Sequence, residues 1–190
     1  MDYNLAGSIL WRIFGKLPGW FIAWYFNDER LANLIRIQPV PVSSSTRVGL
    51  HEHPTCEVSL QIINFSPFKV TLKDMELYYV NHWARVLLPF NRTVDLKSGD
   101  FTQMHISGDI PEGKADSIAR SVDDHRSELV LNCEFNCKVR HFRKGPIVIH
   151  AVPTEIFNYQ NRRDHLLRLE KEAAEAKEKA QEESAQQNQA

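Results

Sequence analysis

From residue 48 to residue 159 apolar and polar side chains alternate in short runs, and proline- or glycine-bearing turns interrupt them at close intervals. A period of two places successive side chains on opposite faces of an extended chain, so each run reads as a strand with one buried face. CEVSLQIIN alternates from Cys56, and in FKVTL the residues Phe68, Val70 and Leu72 oppose Lys69 and Thr71. MELYYV, ARVLL, RTVDL, FTQMHISG, a long run over 129–140 and PIVIHAV follow. Turn signals stand at 66–68, 88–91, 97–100, 111–114 and 143–146. Short strands at this spacing specify a mainly β fold, an antiparallel fibronectin- or immunoglobulin-like β-sandwich. Residues 115–126, with Ile118 and Val122 four apart, predict a helical crossover between two of its strands.

The flanks obey another period. In residues 1–37 Leu5, Ile9, Leu10, Ile13, Phe14 and Leu17 share one helical face, while Asn4, Ser8, Arg12 and Lys16 recur elsewhere. Pro18 and Gly19 break that helix, WFIAWYF follows, and Asn27, Asp28 and Glu29 read as the cap and acidic first turn of another helix carrying Leu31, Leu34 and Ile35. The expected division is an apolar, amphipathic helical anchor over 1–37, a proline- and serine-rich linker over 38–47, the sandwich over 48–159 and a charged helical tail over 160–190. In the tail Leu166, Leu169, Ala173, Ala176 and Ala180 step by three and four, but three alanines in five positions give little to bury, so a solvated helix with a frayed end is expected.

The run LPGWFIAWYF sets the functional question. A spanning helix needs about 20 apolar residues, and the best window contains Arg12, Lys16 and Pro18 before the chain reaches NDER. Asp2 ahead of the apolar stretch and the lack of a small-residue cleavage site speak against a secretory signal. Tryptophan and tyrosine rings suit the bilayer interface, where one end is apolar and the other wet. The anchor candidates are Trp11, Phe14, Trp20, Phe21, Ile22, Trp24, Tyr25 and Phe26. The same rings are suited to a protein partner or an oligomer seam, and a single span is the third use.

Other classes fall away on chemistry. A formal charge of -1 supplies no excess cations for phosphates, so nucleic acid is not an expected partner. No nucleophile motif, phosphate loop or paired cysteine set is present, so no enzyme and no cofactor are expected. His51, His53 and Cys56 in HEHPTC are the one compact group of metal-ligand types, set against a solvated loop before a strand. Cys133 and Cys137 lie four apart on one strand, about 13 Å at its rise per residue, too far for a bridge; three reduced thiols are expected, with a bridge from Cys56 to one of them as the alternative. Asn64 and Asn91 begin glycosylation triplets, which matter only in a lumenal setting.

The succession CEVSLQIINFSPFKVTLKDMELYYVNHWARVL, KSGDFTQMHISGDIP and ELVLNCEFNCKVRHFRKGPIVIHAV resembles the late embryogenesis abundant type 2 (water stress and hypersensitive response) family over about residues 57–152. Asn64, Pro67, Phe68, Val70, Leu72 and Gly99 occupy the pattern's places, and Phe65 and Ser66 intervene where that family has Asn directly before Pro. The resemblance implies a fibronectin-like sandwich, a frequent N-terminal membrane tether, stress-related or membrane-proximal interaction, and no catalytic residues. The preferred expectation is a membrane-associated accessory protein; the alternatives are a subunit whose aromatic segment is a protein interface, and a sandwich that carries lipid.

Overall fold

The structure is a computed structural model that describes residues 19–82, 84–121 and 127–187, with side chains described to residue 178. In chain order its elements are α1 (Gly19–Tyr25), α2 (Asp28–Asn33), β1 (Ile35–Pro39), β2 (Thr46–Gly49), β3 (Thr55–Asn64), β4 (Val70–Asn81), β5 (Ala84–Leu88), β6 (Val94–Leu96), β7 (Phe101–Asp109), α3 (Glu112–Arg120), β8 (Ser127–Cys137), β9 (His141–Ile149), β10 (Thr154–Phe157) and α4 (Tyr159–Gln187).

Alternation builds two sheets. In β3 the residues Cys56, Val58, Leu60, Ile62 and Asn64 are buried, and in β8 so are Leu129, Leu131, Cys133 and Phe135. β7 runs antiparallel to β3 from Phe101 to Asp109 along one edge. The other edge is shared by β1, opposite 60–64, and β2, opposite 55–58. β10 extends this sheet, parallel to β2. The second sheet repeats the plan: β8 pairs the whole of β4, β5 and β6 divide β4's other edge, and β9 lies outside β8. The inward faces form one core. A constant-type immunoglobulin domain puts its fourth strand on the first sheet; here β5 and β6 stay beside β4, on the second.

The chain changes sheet between β3 and β4 and again between β6 and β7, and one side chain ties both crossings. Asn64, fully buried, donates through Nδ2 to the carbonyls of Phe68 (2.8 Å), Leu96 (3.1 Å) and Lys97 (3.1 Å). Its Oδ1 accepts from the Ser66 backbone N–H (2.9 Å) and hydroxyl (2.6 Å). Its backbone N–H reaches Asp100 and its carbonyl accepts from Gly99, whose positive φ of 74° allows the tight turn there. Asn64 is therefore engaged at every polar atom and closed to glycosylation in the folded state, whereas Asn91 is exposed.

Three expectations change. FKVTL and MELYYV are one strand, β4, because Lys73 bulges out between Leu72 and Asp74 and restores the inward phase. Residues 143–146 are not a turn but part of β9, where Gly145 and Pro146 form a bulge opposite Asn132. A Cβ on Gly145 would meet Asn132 Oδ1 at 2.5 Å, which is why glycine stands there. The boundary at residue 37 falls inside the sheet: Ile35 and Ile37 are buried and pair with Asn64 and Ile62, and the linker shortens to the residues between β1 and β2. Ile35 belongs to β1 instead of the helix before it.

Asn64→Asp removes the donor facing three carbonyls and leaves a buried carboxylate, so it is expected to lower the unfolding free energy by about 3 kcal/mol in urea titration; an unchanged midpoint refutes the clamp. A chain starting at Gly19 retains the β signal in circular dichroism, while one starting at Gln38 lacks Phe26, Leu31, Ile35 and Ile37 and loses it.

Candidate docking surface at the N-terminal helices

β1 and β9 are facing edges of the two sheets, and α1 and α2 close the seam between them. α2 starts at an Asn27 cap, whose Oδ1 accepts from the Arg30 N–H at 2.8 Å, with Asp28 and Glu29 in its first turn. It packs on both β9 and β1 and buries Leu31 completely. Phe26, 3% exposed, sets its ring edge-on to Phe68 with centroids 5.0 Å apart. Burying Phe26 and Leu31 contributes about 2 kcal/mol each, so these helices are held by the core itself.

Polar contacts fix the angle. Arg140, in the turn between β8 and β9, donates to the Ala23 carbonyl near the end of α1 and to Asp28 Oδ1 at 2.8 Å. Lys144 reaches the Ala32 carbonyl at 2.7 Å, and burial holds its pKa below the ordinary lysine value. Arg30 donates to the Tyr25 carbonyl at 3.0 Å and lies 4.6 Å from that ring's centroid. Together these bonds satisfy carbonyls at the ends of two short helices.

The aromatics form a ladder from core to solvent. Phe26 touches Tyr25 (5.0 Å), Tyr25 stacks on Phe21 (6.4 Å), and Phe21 meets Trp24 (5.8 Å) and Trp20 (6.0 Å). Exposure is greatest at its outer end: Phe21 and Ile22 are half-buried and Tyr25 is 38% exposed, against 70% for Trp24 and 73% for Trp20. Trp20 and Trp24, four apart, stand on one outward face of α1. Of the eight candidate anchor residues, Phe26 is a core residue, five lie on α1, and Trp11 and Phe14 lie outside the described residues. Arg140 is the residue that sequence reasoning missed, since nothing in KVRHFRK marks which cation reaches back more than a hundred positions. No described helix is long and apolar enough to cross a membrane.

The HEHPTC group does not assemble. His51 and His53 are exposed in a bend, with His51 against Asn158, while Cys56 points into the core, where burial pushes its thiol up to about 12. Among the described residues no group of three metal-ligand side chains stands together. Burial also raises the Cys133 thiol to about 12, and Cys137 is half-buried. α4 is docked at its start: Arg162 binds Asp116 (2.7 Å) and Glu112 on α3, Arg120 of α3 binds Glu170 (2.7 Å), and Leu166 packs on the core.

No family model matches the chain, and no curated protein matches it. Among solved structures it is similar to a structural genomics target designated SoR45, at 11% identity and a TM-score of 0.42, covering 63% of this chain and 87% of that one. It is also similar to a Bordetella pertussis protein described as ApaA, at 10% identity and a TM-score of 0.37, covering 63% of this chain and 90% of that one. Likeness at this level carries no argument about function.

With Arg140→Ala, hydrogen exchange at the amides of 20–33 is expected to accelerate while β3, β4 and β8 keep their protection; unchanged exchange there means Arg140 does not seat the helices. Alkylation of the native protein at pH 8 labels Cys137 and spares Cys56 and Cys133, with all three labelled in denaturant; equal native labelling contradicts the burial.

Proposed function

We propose that the protein is a non-enzymatic, membrane-associated accessory module that meets the bilayer interface with the outward face of α1. The observation that carries this reading is the pair Trp20 and Trp24, 73% and 70% exposed, on a helix that the core and Arg140 hold firmly in place. A soluble surface seldom spends two tryptophans on solvent, and indole rings with a wet N–H and an apolar body suit headgroup depth. Lys138, 5.2 Å from the Phe68 ring centroid, and Arg30 add cations beside the ladder, favourable against anionic headgroups. A role of the late embryogenesis abundant type 2 kind, a membrane-proximal protective or adaptor sandwich, belongs to this proposal. α4 leaves the body beyond its docked turns and offers a charged surface to a protein partner.

A sandwich that carries lipid needs room between its sheets. That space is occupied by Leu60, Ile62, Leu77, Tyr79 and Phe135, all fully buried, so the interface reading is preferred.

Flotation with liposomes tests the proposal. Full-length protein is expected to float, and Trp20→Ala with Trp24→Ala is expected to weaken partitioning on the order of tenfold per ring with the circular dichroism spectrum retained. A full-length protein that stays at the bottom as a discrete oligomer moves the rings to a protein interface and ends the membrane reading.

A further inference from the structure

The outer face of the first sheet carries a second aromatic patch, at the end of the sandwich that holds α1. Strand register fixes its layout, because residues directly opposite on paired strands point to the same side. β3 turns Leu60, Ile62 and Asn64 inward, so Ile63 faces out, between Arg36 on β1 and Phe101 on β7. Phe65 follows two positions beyond Ile63. Phe101 is 56% exposed and Phe65 52%, while Ile63 and Leu34 beside them are half-buried. The patch borders α2, since the Phe65 N–H donates to the carbonyl of Leu34, the C-cap of that helix, at 2.8 Å. α2 thus has the tryptophan face of α1 ahead of its start and this patch at its end.

Charge grades along this face. Arg36 is exposed beside the patch, Lys97 is exposed in the turn before β7, and neither side chain joins an ion pair among the described residues. Asp100, next to Phe101, turns its carboxylate back to the Phe101 N–H at 2.9 Å. The next row of the sheet is neutral: Gln38, Gln61 and Gln103 stand in register, and Gln38 donates to Gln61 at 3.1 Å. Carboxylates follow further down, with Glu57 and then Asp109, opposite Thr55 at the end where α3 begins.

Apolar and cationic, then neutral, then acidic is the order that an anionic bilayer selects, from its acyl boundary outward to water. The patch presents rings and cations without a set of fixed donors and acceptors, which suits a fluid surface. We propose that Phe65 and Phe101, with Arg36 and Lys97, make a second contact with an anionic bilayer beside that of α1, and so orient the sandwich with its α3 end away from the membrane. This rests on the membrane reading and adds orientation to it: a single contact leaves the domain free to pivot, and two contacts on either side of α2 do not.

Amide NMR on the full chain, with bicelles of phosphatidylcholine and phosphatidylserine that carry a gadolinium-chelating lipid, tests it. Broadening is expected at residues 63–65 and 99–103 as well as in α1, and not around Leu87 and Val148, which are exposed apolar residues elsewhere on the domain. In flotation, Phe65→Ser with Phe101→Ser is expected to weaken partitioning about tenfold, and Arg36→Gln or Lys97→Gln about fivefold each, with the effect of the cations lost when phosphatidylserine is omitted and thermal melts unchanged. Phe101→Ser alone serves if the double variant unfolds. Broadening confined to α1, with flotation unaltered in the phenylalanine variants, overturns this inference and leaves the membrane reading standing. Equal broadening around Leu87 and Val148 also overturns it, since the domain then has no fixed orientation. Broadening at neither α1 nor the patch ends both.

Discussion

The amide of Asn64 holds together two of the four points at which the chain passes from one sheet to the other. A sandwich is two amphipathic surfaces that must be held in register, and its crossings are where backbone groups leave the ladders and need other partners. One planar side chain answers the carbonyls of both crossings here, and Ser66 answers the amide oxygen in turn. With both crossings fixed at the same end, β3 and β4 face each other in one register, and the strands that pair with them inherit it. The core residues on β3, β4, β7 and β8 need only the right parity.

The two lateral seams are closed differently. On one side β7 approaches β5 closely: a Cβ on Gly108 would meet Pro89 at 2.6 Å and Leu88 at 3.1 Å, and α3 covers the flank with Ala115, Ile118 and Ala119. On the other side β1 and β9 stand apart, and α1 and α2 fill the space. β9 is also an edge strand, the part of a sheet most exposed to unwanted pairing. Its Gly145 and Pro146 bulge, with Lys144 turned toward α2, blunts that edge while serving the helices. The aromatic face of α1 is thus carried on a part the sandwich needs for its own closure.

The longer strands were legible because period two survives in most of their runs, and the buried residues of β3 and β8 follow it without a break. Legibility failed where two periods overlap. Leu31, Leu34 and Ile35 step as a helix, and Ile35 and Ile37 as a strand; only the partner β3 decides that the chain straightens at Ile35. RKGP reads as a turn on composition, yet the pairing of β9 with β8 absorbs it as a bulge. The exposed rings of α1 were visible as a cluster, but their burial gradient depends on Phe68 and Arg140, contributed from far along the chain.

The seat of the N-terminal helices has a consequence in time. Arg140 meets Ala23 and Asp28 across 117 and 112 positions of chain. During synthesis at about 5–20 residues per second, the aromatic segment emerges on the order of ten seconds before the β8–β9 turn that will hold it exists. Arg30 and Phe68 follow sooner, but throughout that interval the Ala23 carbonyl lacks its Arg140 donor. Until then the aromatic segment is untethered, and the sandwich is assembled afterwards behind it. The completed domain then fixes the segment in orientation.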